Sequence, residues 1–128
     1  MAHVRELANQ ITEVYRKITN FSDIKVANLC EDDAKWAGHH IIVTTLGFLK
    51  KVADGRKFTT DFSDLKVIVV DEADIFFGDE RNFRDLELLN NKYFSKINSK
   101  IQWILFSATY PDEISDRIYK IVKDASSI

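Results

Sequence analysis

The residues best placed to do chemistry form a run of four, Asp71-Glu72-Ala73-Asp74, directly after Val67-Ile68-Val69-Val70. Three carboxylates at the point where a buried strand leaves the core are unusual: chance places Asp-Glu-Ala-Asp in a chain of 128 residues about once in five hundred sequences. A carboxylate at a strand tip can hold Mg2+ through its waters while a neighbour orients or deprotonates an attacking water, and hydrolysis of a nucleotide needs both. The bland alternative makes Asp71 a turn cap and leaves Glu72 and Asp74 solvated. The apolar strand in front argues against it. A second set, Ser107-Ala108-Thr109, follows Ile101 to Phe106 and precedes Pro111. Two hydroxyls at a parallel strand tip can exchange hydrogen bonds with a carboxylate on the adjacent tip, here Asp74. Taken alone, Ser-Ala-Thr more often caps a helix.

These sets must be held by strands and helices that the apolar pattern locates. Val4, Leu7, Ala8, Ile11, Val14, Tyr15 and Ile18 recur at three- and four-residue steps, which predicts a helix beginning almost at Met1. Ile41-Ile42-Val43, Val67 to Val70 and Ile101 to Phe106 read as strands buried on both faces, with a weaker strand over Lys25 to Leu29. Helical patterns lie between them, at Leu46 to Val52, around Phe83 to Leu89, and over Pro111 to Val122 with Ile114, Ile118, Ile121 and Val122 on one face and Pro111 in the first turn. Strands alternating with helices imply an α/β fold with a largely parallel sheet and flanking helices, whose chemistry gathers at the carboxyl ends of the strands.

Composition narrows the classes. The chain is 45% apolar, 30% charged and 12% aromatic, as expected of one continuous globular domain. Its 18 basic and 20 acidic residues give a net charge of -2, which excludes nucleic-acid binding by bulk positive charge and leaves a local phosphate site open. Cys30 is the one cysteine, too few for an internal disulfide or a thiolate metal site. With no signal-peptide pattern and no apolar run of spanning length, the expectation is an intracellular protein, cytoplasmic or nuclear, away from membranes.

The residues resemble the DEAD-box ATP-dependent RNA helicases. Asp71-Glu72-Ala73-Asp74 matches the motif that names the family, and Ser107-Ala108-Thr109 matches its Ser-Ala-Thr motif. Arg5-Glu6-Leu7-Ala8 with Gln10 is similar to the end of Pro-Thr-Arg-Glu-Leu-Ala, and His40 to Gly47 to the segment ending in Thr-Pro-Gly-Arg, with Thr45 and Gly47 retained. The four occur in the family's order. The resemblance implies a RecA-like (P-loop NTPase-type) first helicase domain over residues 1–128, truncated at its N-terminal side. It implies ATP and Mg2+ as cofactors of the full-length parent: Asp71 as the Mg2+ residue acting through water, Glu72 as the residue that activates water, and Asp74 bonded to Ser107 and Thr109. It also implies Arg5, Thr45 and Gly47 on the RNA-backbone side, making contacts that hold RNA without reading sequence. Read without the resemblance, Arg5 is a solvated helix residue, Thr45 an N-cap and Gly47 a tight turn.

The departures carry information too. His3 and Val4 stand in place of Pro and Thr, and Leu46 and Phe48 in place of the Pro and Arg of Thr-Pro-Gly-Arg. The lost Arg and the closing Val122 to Ile128 are faintly similar to the messenger-RNA-export branch. Gly38, Gly47, Gly55 and Gly78 are followed by His, Phe, Arg and Asp, so no Gly-rich loop ending in Lys is present to cradle phosphates. The expectation is an inactive fragment of a longer helicase, with the second RecA-like domain of the same parent as its partner and with exposed strand edges that favour self-association. Two rivals stand beside it: a non-catalytic helicase-like module that binds RNA or protein, and a flavodoxin-like receiver domain phosphorylated on Asp71. His39 and His40 read as strand-entry residues, Trp103 as core, Trp36 as ambiguous, Phe76, Phe77 and Phe83 as anchors, and Lys50, Lys51, Arg56 and Lys57 as a solvated face.

Overall fold

The computed structural model describes residues 1–31, 36–55, 61–97 and 100–126, which cluster into two compact units, residues 1–61 and 62–128. Arg56 and Lys57 of the basic run lie outside the described residues, as do the last two residues of the closing segment.

The first unit holds helix α1 (Arg5–Ile18), strands β1 (Val26–Asn28) and β2 (Ile41–Val43), and helix α2 (Leu46–Asp54). The strands pair in parallel, Val26 opposite Ile41 and Asn28 opposite Val43, and α1 packs on both. The helix begins at Arg5 rather than near Met1. The residues before it are extended, and Ala2 bridges Thr45 while its amide bonds the Thr44 carbonyl at 3.0 Å. The apolar stripe is narrower than the sequence suggests. Ala8 is buried and Leu7, Ile11 and Tyr15 are half-buried against Cys30 and Val43, whereas Val14 and Ile18 are exposed. Thr12 takes a buried place on that face because its hydroxyl is satisfied within the helix, donating to the Ala8 carbonyl at 2.7 Å. Asn28, fully buried at the end of β1, donates to Asn9 Oδ1 and accepts from the Cys30 amide, both at 2.9 Å.

The second unit contains strand β3 (Val67–Val70), helices α3 (Ala73–Gly78) and α4 (Glu80–Lys92), a 3-10 turn at Phe94–Lys96, strand β4 (Gln102–Leu105) and helix α5 (Asp112–Ile121). β3 and β4 run parallel, with Val67 opposite Gln102 and Val70 opposite Leu105. The α/β architecture with parallel strands and flanking helices is therefore present. Burial on both faces is not: Val67 is 42% exposed, Gln102 is exposed, and Trp103 to Leu105 are half-buried. Each strand has one described neighbour, so each keeps an edge. Trp103 is a partial core residue, its ring 6.3 Å from that of Phe94.

Helix α3 is the element the apolar pattern missed, because six residues are too few to show a period. Its Phe76 and Phe77 are fully buried, with rings 5.6 Å apart, and it packs on α4 and α5. Helix α4 starts where Asp79 accepts a bond from the Asn82 amide at 2.8 Å, and carries Glu80 and Lys92 at the ends the helix dipole favours. It buries Phe83, Leu86 and Leu89. Helix α5 buries Ile114, Ile118 and Ile121 as the spacing predicts, leaves Val122 just past its end, and places Pro111 at the N-cap. No helix among the described residues is long and apolar enough to cross a membrane.

Replacing Phe77 by Ala should cost about 3–5 kcal/mol in urea unfolding, since a ring is removed from a fully packed site. Replacing half-exposed Ile75, two residues earlier, should cost far less, within about 0.5 to 1 kcal/mol.

Candidate active site

Neighbouring parallel strands end on the same side, so the register of Val70 with Leu105 puts Asp71 to Asp74 beside Phe106 to Thr109. The ladder continues past both strands: the Phe106 amide donates to the Val70 carbonyl at 3.0 Å, and the Ala73 amide to the Phe106 carbonyl at 2.8 Å. Between them the chain turns sharply. Glu72 adopts the left-handed conformation, φ 51° and ψ 54°, which costs a non-glycine residue about 1–2 kcal/mol. In that conformation Glu72 makes no side-chain cap for α3. The β4 tip supplies one from outside instead: the Ser107 hydroxyl accepts from the Asp74 amide at 3.1 Å.

Side chains complete the junction. Thr109 Oγ1 donates to Asp74 Oδ2 at 3.0 Å. Ser107 Oγ lies 2.8 Å from the Thr109 carbonyl and beside the Asp74 carboxylate, so its one hydroxyl proton is shared between these acceptors, while Thr109 Oγ1 donates to Asp74 Oδ2. The Ser107 hydroxyl foremost, then the Thr109 hydroxyl and the amides of Ile75 and Asp74, hold the Asp74 carboxyl below the usual carboxylate range against a smaller opposing effect of desolvation. Tyr110 closes the loop by donating to the Leu105 carbonyl at 2.9 Å, and its phenol is pushed up by burial and by the charge on Asp74. Asp71 turns back on the chain, its Oδ1 accepting from the Glu72 amide at 3.0 Å.

The structure thus brings Asp71, Glu72, Asp74, Ser107 and Thr109 together at two adjacent strand tips. Ser107 and Thr109 serve α3 rather than capping α5, which begins after Pro111. In the first unit, Arg5 is the exposed first residue of α1, Thr45 holds the N-cap position of α2, and Gly47 is exposed in the first turn of α2 rather than in a tight turn. The Ala2–Thr45 bridge sets the starts of both helices near the carboxyl ends of β1 and β2. The Thr45 hydroxyl makes no cap, and lies 4.0 Å from the Cys30 thiol, which donates to it. Phe48, in the place of a cation, packs on the apolar core of that unit. His40 sits just before β2 with Nδ1 accepting from the Lys25 amide, and Trp36 donates to the Asp61 carbonyl, so both serve local structure.

Two residues of this site escaped the sequence reading. Tyr110 carries no pattern that marks it. Arg117 is readable as the partner of Glu113 four residues earlier, but its bonds to the Phe77 and Gly78 carbonyls are not.

Because the folded Asp74 carboxyl lies below its ordinary value, near ~3.9, its contribution to stability is complete above that pH and is lost as pH falls through the folded value. Thr109→Val should therefore destabilise the chain at pH 7, and the gap from the unsubstituted chain in urea unfolding should narrow as pH falls below about 4.

Comparison with other proteins follows the same residues. The chain matches the family model described as DEAD/DEAH box helicase over residues 1–117. It is 32% identical over 133 residues to the DEAD-box ATP-dependent RNA helicase 38 of Arabidopsis thaliana, covering 97% of this chain and 26% of that protein. It is 33% identical over 132 residues to the ATP-dependent RNA helicase DBP5 of Debaryomyces hansenii, covering 100% and 25%. A solved variant of S. cerevisiae Dbp5 bound to a Gle1 variant and IP6 superposes with a TM-score of 0.84 at 25% identity, covering 100% of this chain and 32% of that one. S. cerevisiae Dbp5 bound to RNA and ADP BeF3 gives 0.76 at 25% identity, covering 98% and 32%. The architecture is that of RecA-like helicase domains, of which the chain covers a part, and it spans about a quarter of the length of the curated relatives. With a match that runs from the first residue into α5 and takes in both strand tips, the chain belongs to the DEAD/DEAH box helicase family.

Proposed function

We propose that residues 1–128 are part of the first RecA-like, ATP-binding domain of a longer DEAD-box RNA helicase, without its phosphate-binding loop, and that the whole protein uses Mg-ATP to unwind RNA or remodel ribonucleoprotein. The observation that carries this is the Thr109–Asp74 bond, which ties a tip rich in carboxylates to a tip rich in hydroxyls. Support comes from relatives named as ATP-dependent RNA helicases and from the likeness to Dbp5 bound to RNA and ADP BeF3. The likenesses to Dbp5 also favour the messenger-RNA-export branch, although an eIF4A of Mycosarcoma maydis is 34% identical.

The donor set fits a nucleotide-bound Mg2+. Among the described residues no group of three His, Cys, Asp or Glu side chains could cage a metal. Mg2+ that keeps its waters, rests on one or two carboxylates and takes the rest from phosphate oxygens needs no cage. Asp71 would hold it through water. When bound, the metal neutralises charge on the phosphate oxygens. Glu72, pointed by its left-handed backbone, would orient and deprotonate the attacking water. Asp74, Ser107 and Thr109 would pass the state of the nucleotide from one tip to the other. The 128 residues alone lack the amide cradle and its Lys, and the second RecA-like domain of the parent is the partner that completes the machine.

RNA contact falls to the first unit. Arg5, the Thr45 hydroxyl and the amide of Gly47 lie at two helix starts whose N-cap side chains make no cap, a placement suited to phosphate oxygens.

In the full-length parent, Glu72→Gln should lower the ATPase kcat by about 10²–10⁴-fold and leave nucleotide affinity nearly unchanged. A parent with no ATPase in either form would instead be a non-catalytic binding module. Arg5→Ala in the parent should weaken binding to unrelated single-stranded RNAs by the same factor, measured by fluorescence anisotropy, because a phosphate contact reads no sequence. A loss confined to one sequence would place Arg5 on a base.

A further inference from the structure

The strand tips are joined a second time, on the far side of α3. Arg117, on α5 and 17% exposed, donates from one guanidinium nitrogen to the Phe77 carbonyl at 2.8 Å and the Gly78 carbonyl at 3.2 Å, the last two of α3. Its other terminal nitrogen pairs with Glu113 on α5 at 2.9 Å and with Glu80 on α4 at 3.1 Å. Its carbon lies 5.6 Å from the Phe83 ring. One side chain therefore binds three helices, and the planar fork of Arg is what lets it do so.

We infer that Arg117 is a positioning residue for the acidic tip, holding the carbonyl end of α3 to the helix that follows Ser107-Ala108-Thr109. The argument is geometric. α3 is six residues long and buries Phe76 and Phe77 in its second half, so it moves as one body. Its amino end carries Asp74 and the amides of Ala73 and Asp74, which bond the Phe106 carbonyl and the Ser107 hydroxyl. At its carboxyl end the Asp79 amide bonds the Ile75 carbonyl at 3.3 Å, while the Phe77 and Gly78 carbonyls are taken by Arg117, since a helix this short leaves most of its carbonyls without partners inside it. α5 continues directly from the β4 tip through Pro111. Arg117 thus closes a loop of contacts: β4 tip to α3 start, α3 end to α5, α5 back to the β4 tip. The clamp sets how far α3 can tilt, and with it the distance from Thr109 to Asp74.

This inference rests on the reading of the two tips as a coupled pair, and its test needs neither nucleotide nor RNA. Native-state amide exchange of the 128-residue chain distinguishes a clamp from a general stabiliser. In Arg117→Met, which keeps the stem and loses every donor, the amides of Ala73 and Asp74 should exchange about ten-fold faster relative to the Gln102 amide, which bonds Lys66 at the far end of the ladder. Uniform acceleration, or no change at Ala73 and Asp74, overturns the inference. Arg117→Lys keeps the charge near Glu80 and Glu113 but cannot span both carbonyls and both carboxylates. Its effect at Ala73 and Asp74 should be intermediate, and full protection in that variant would overturn the inference, because the ion pairs alone would then suffice. Should the Met variant not fold, the Lys comparison still decides.

Discussion

Parallel pairing of β3 with β4 is the constraint on which the rest depends. Two adjacent strands that run the same way must end on the same side, and the chain leaving each must turn there. Everything specific to this site follows from that turn. Glu72 makes it in a left-handed conformation, which forfeits a side-chain cap for α3. The neighbouring tip then supplies the missing acceptor through Ser107, and Thr109 adds a donor to the carboxylate one turn further on. An antiparallel partner would put its other end here, and none of these bonds would exist.

The magnitudes show why the turn holds. A left-handed non-glycine residue costs about 1–2 kcal/mol. Burial of Phe76 and Phe77 supplies about 1.5–3 kcal/mol each, an upper estimate, and the two together exceed the strain about threefold. The charge on Asp74 is favoured in the same way, by hydroxyls and amides aimed at it. A site arranged like this offers fixed dipoles and carboxylates to a ligand that brings its own cation.

How much of this was legible in the sequence divides along physical lines. Strand positions were readable because runs such as Val67 to Val70 carry their own signal, and the long helices because their stripes repeat. Asp71 to Asp74 and Ser107 to Thr109 stood out by composition at strand ends. What the sequence hid is what depends on three dimensions. The stripe of α1 admits Thr12 and leaves out Val14 and Ile18, since a hydroxyl satisfied by its own helix can be buried while an apolar side chain on the flank meets no partner. The backbone of Glu72 could not be read because Glu carries no left-handed preference. The reach of Arg117 to Phe77 and Gly78 crosses 40 and 39 residues, a separation that no local pattern encodes.

The first unit shows the same economy by a different route. A cation where Phe48 stands would bind phosphate by charge and release counterions in proportion, making affinity fall steeply with salt. Phe48 is instead committed to the core with Leu7, Ile11 and Tyr15. On the proposed reading, what is left to meet an RNA backbone is one guanidinium, one hydroxyl and the amides at two helix starts. Those amides are fixed by the Ala2–Thr45 bridge and the turn into α2, so they lose no side-chain freedom on binding and carry only partial charges. A grip of that kind holds any backbone of the right shape and responds weakly to ionic strength for its size.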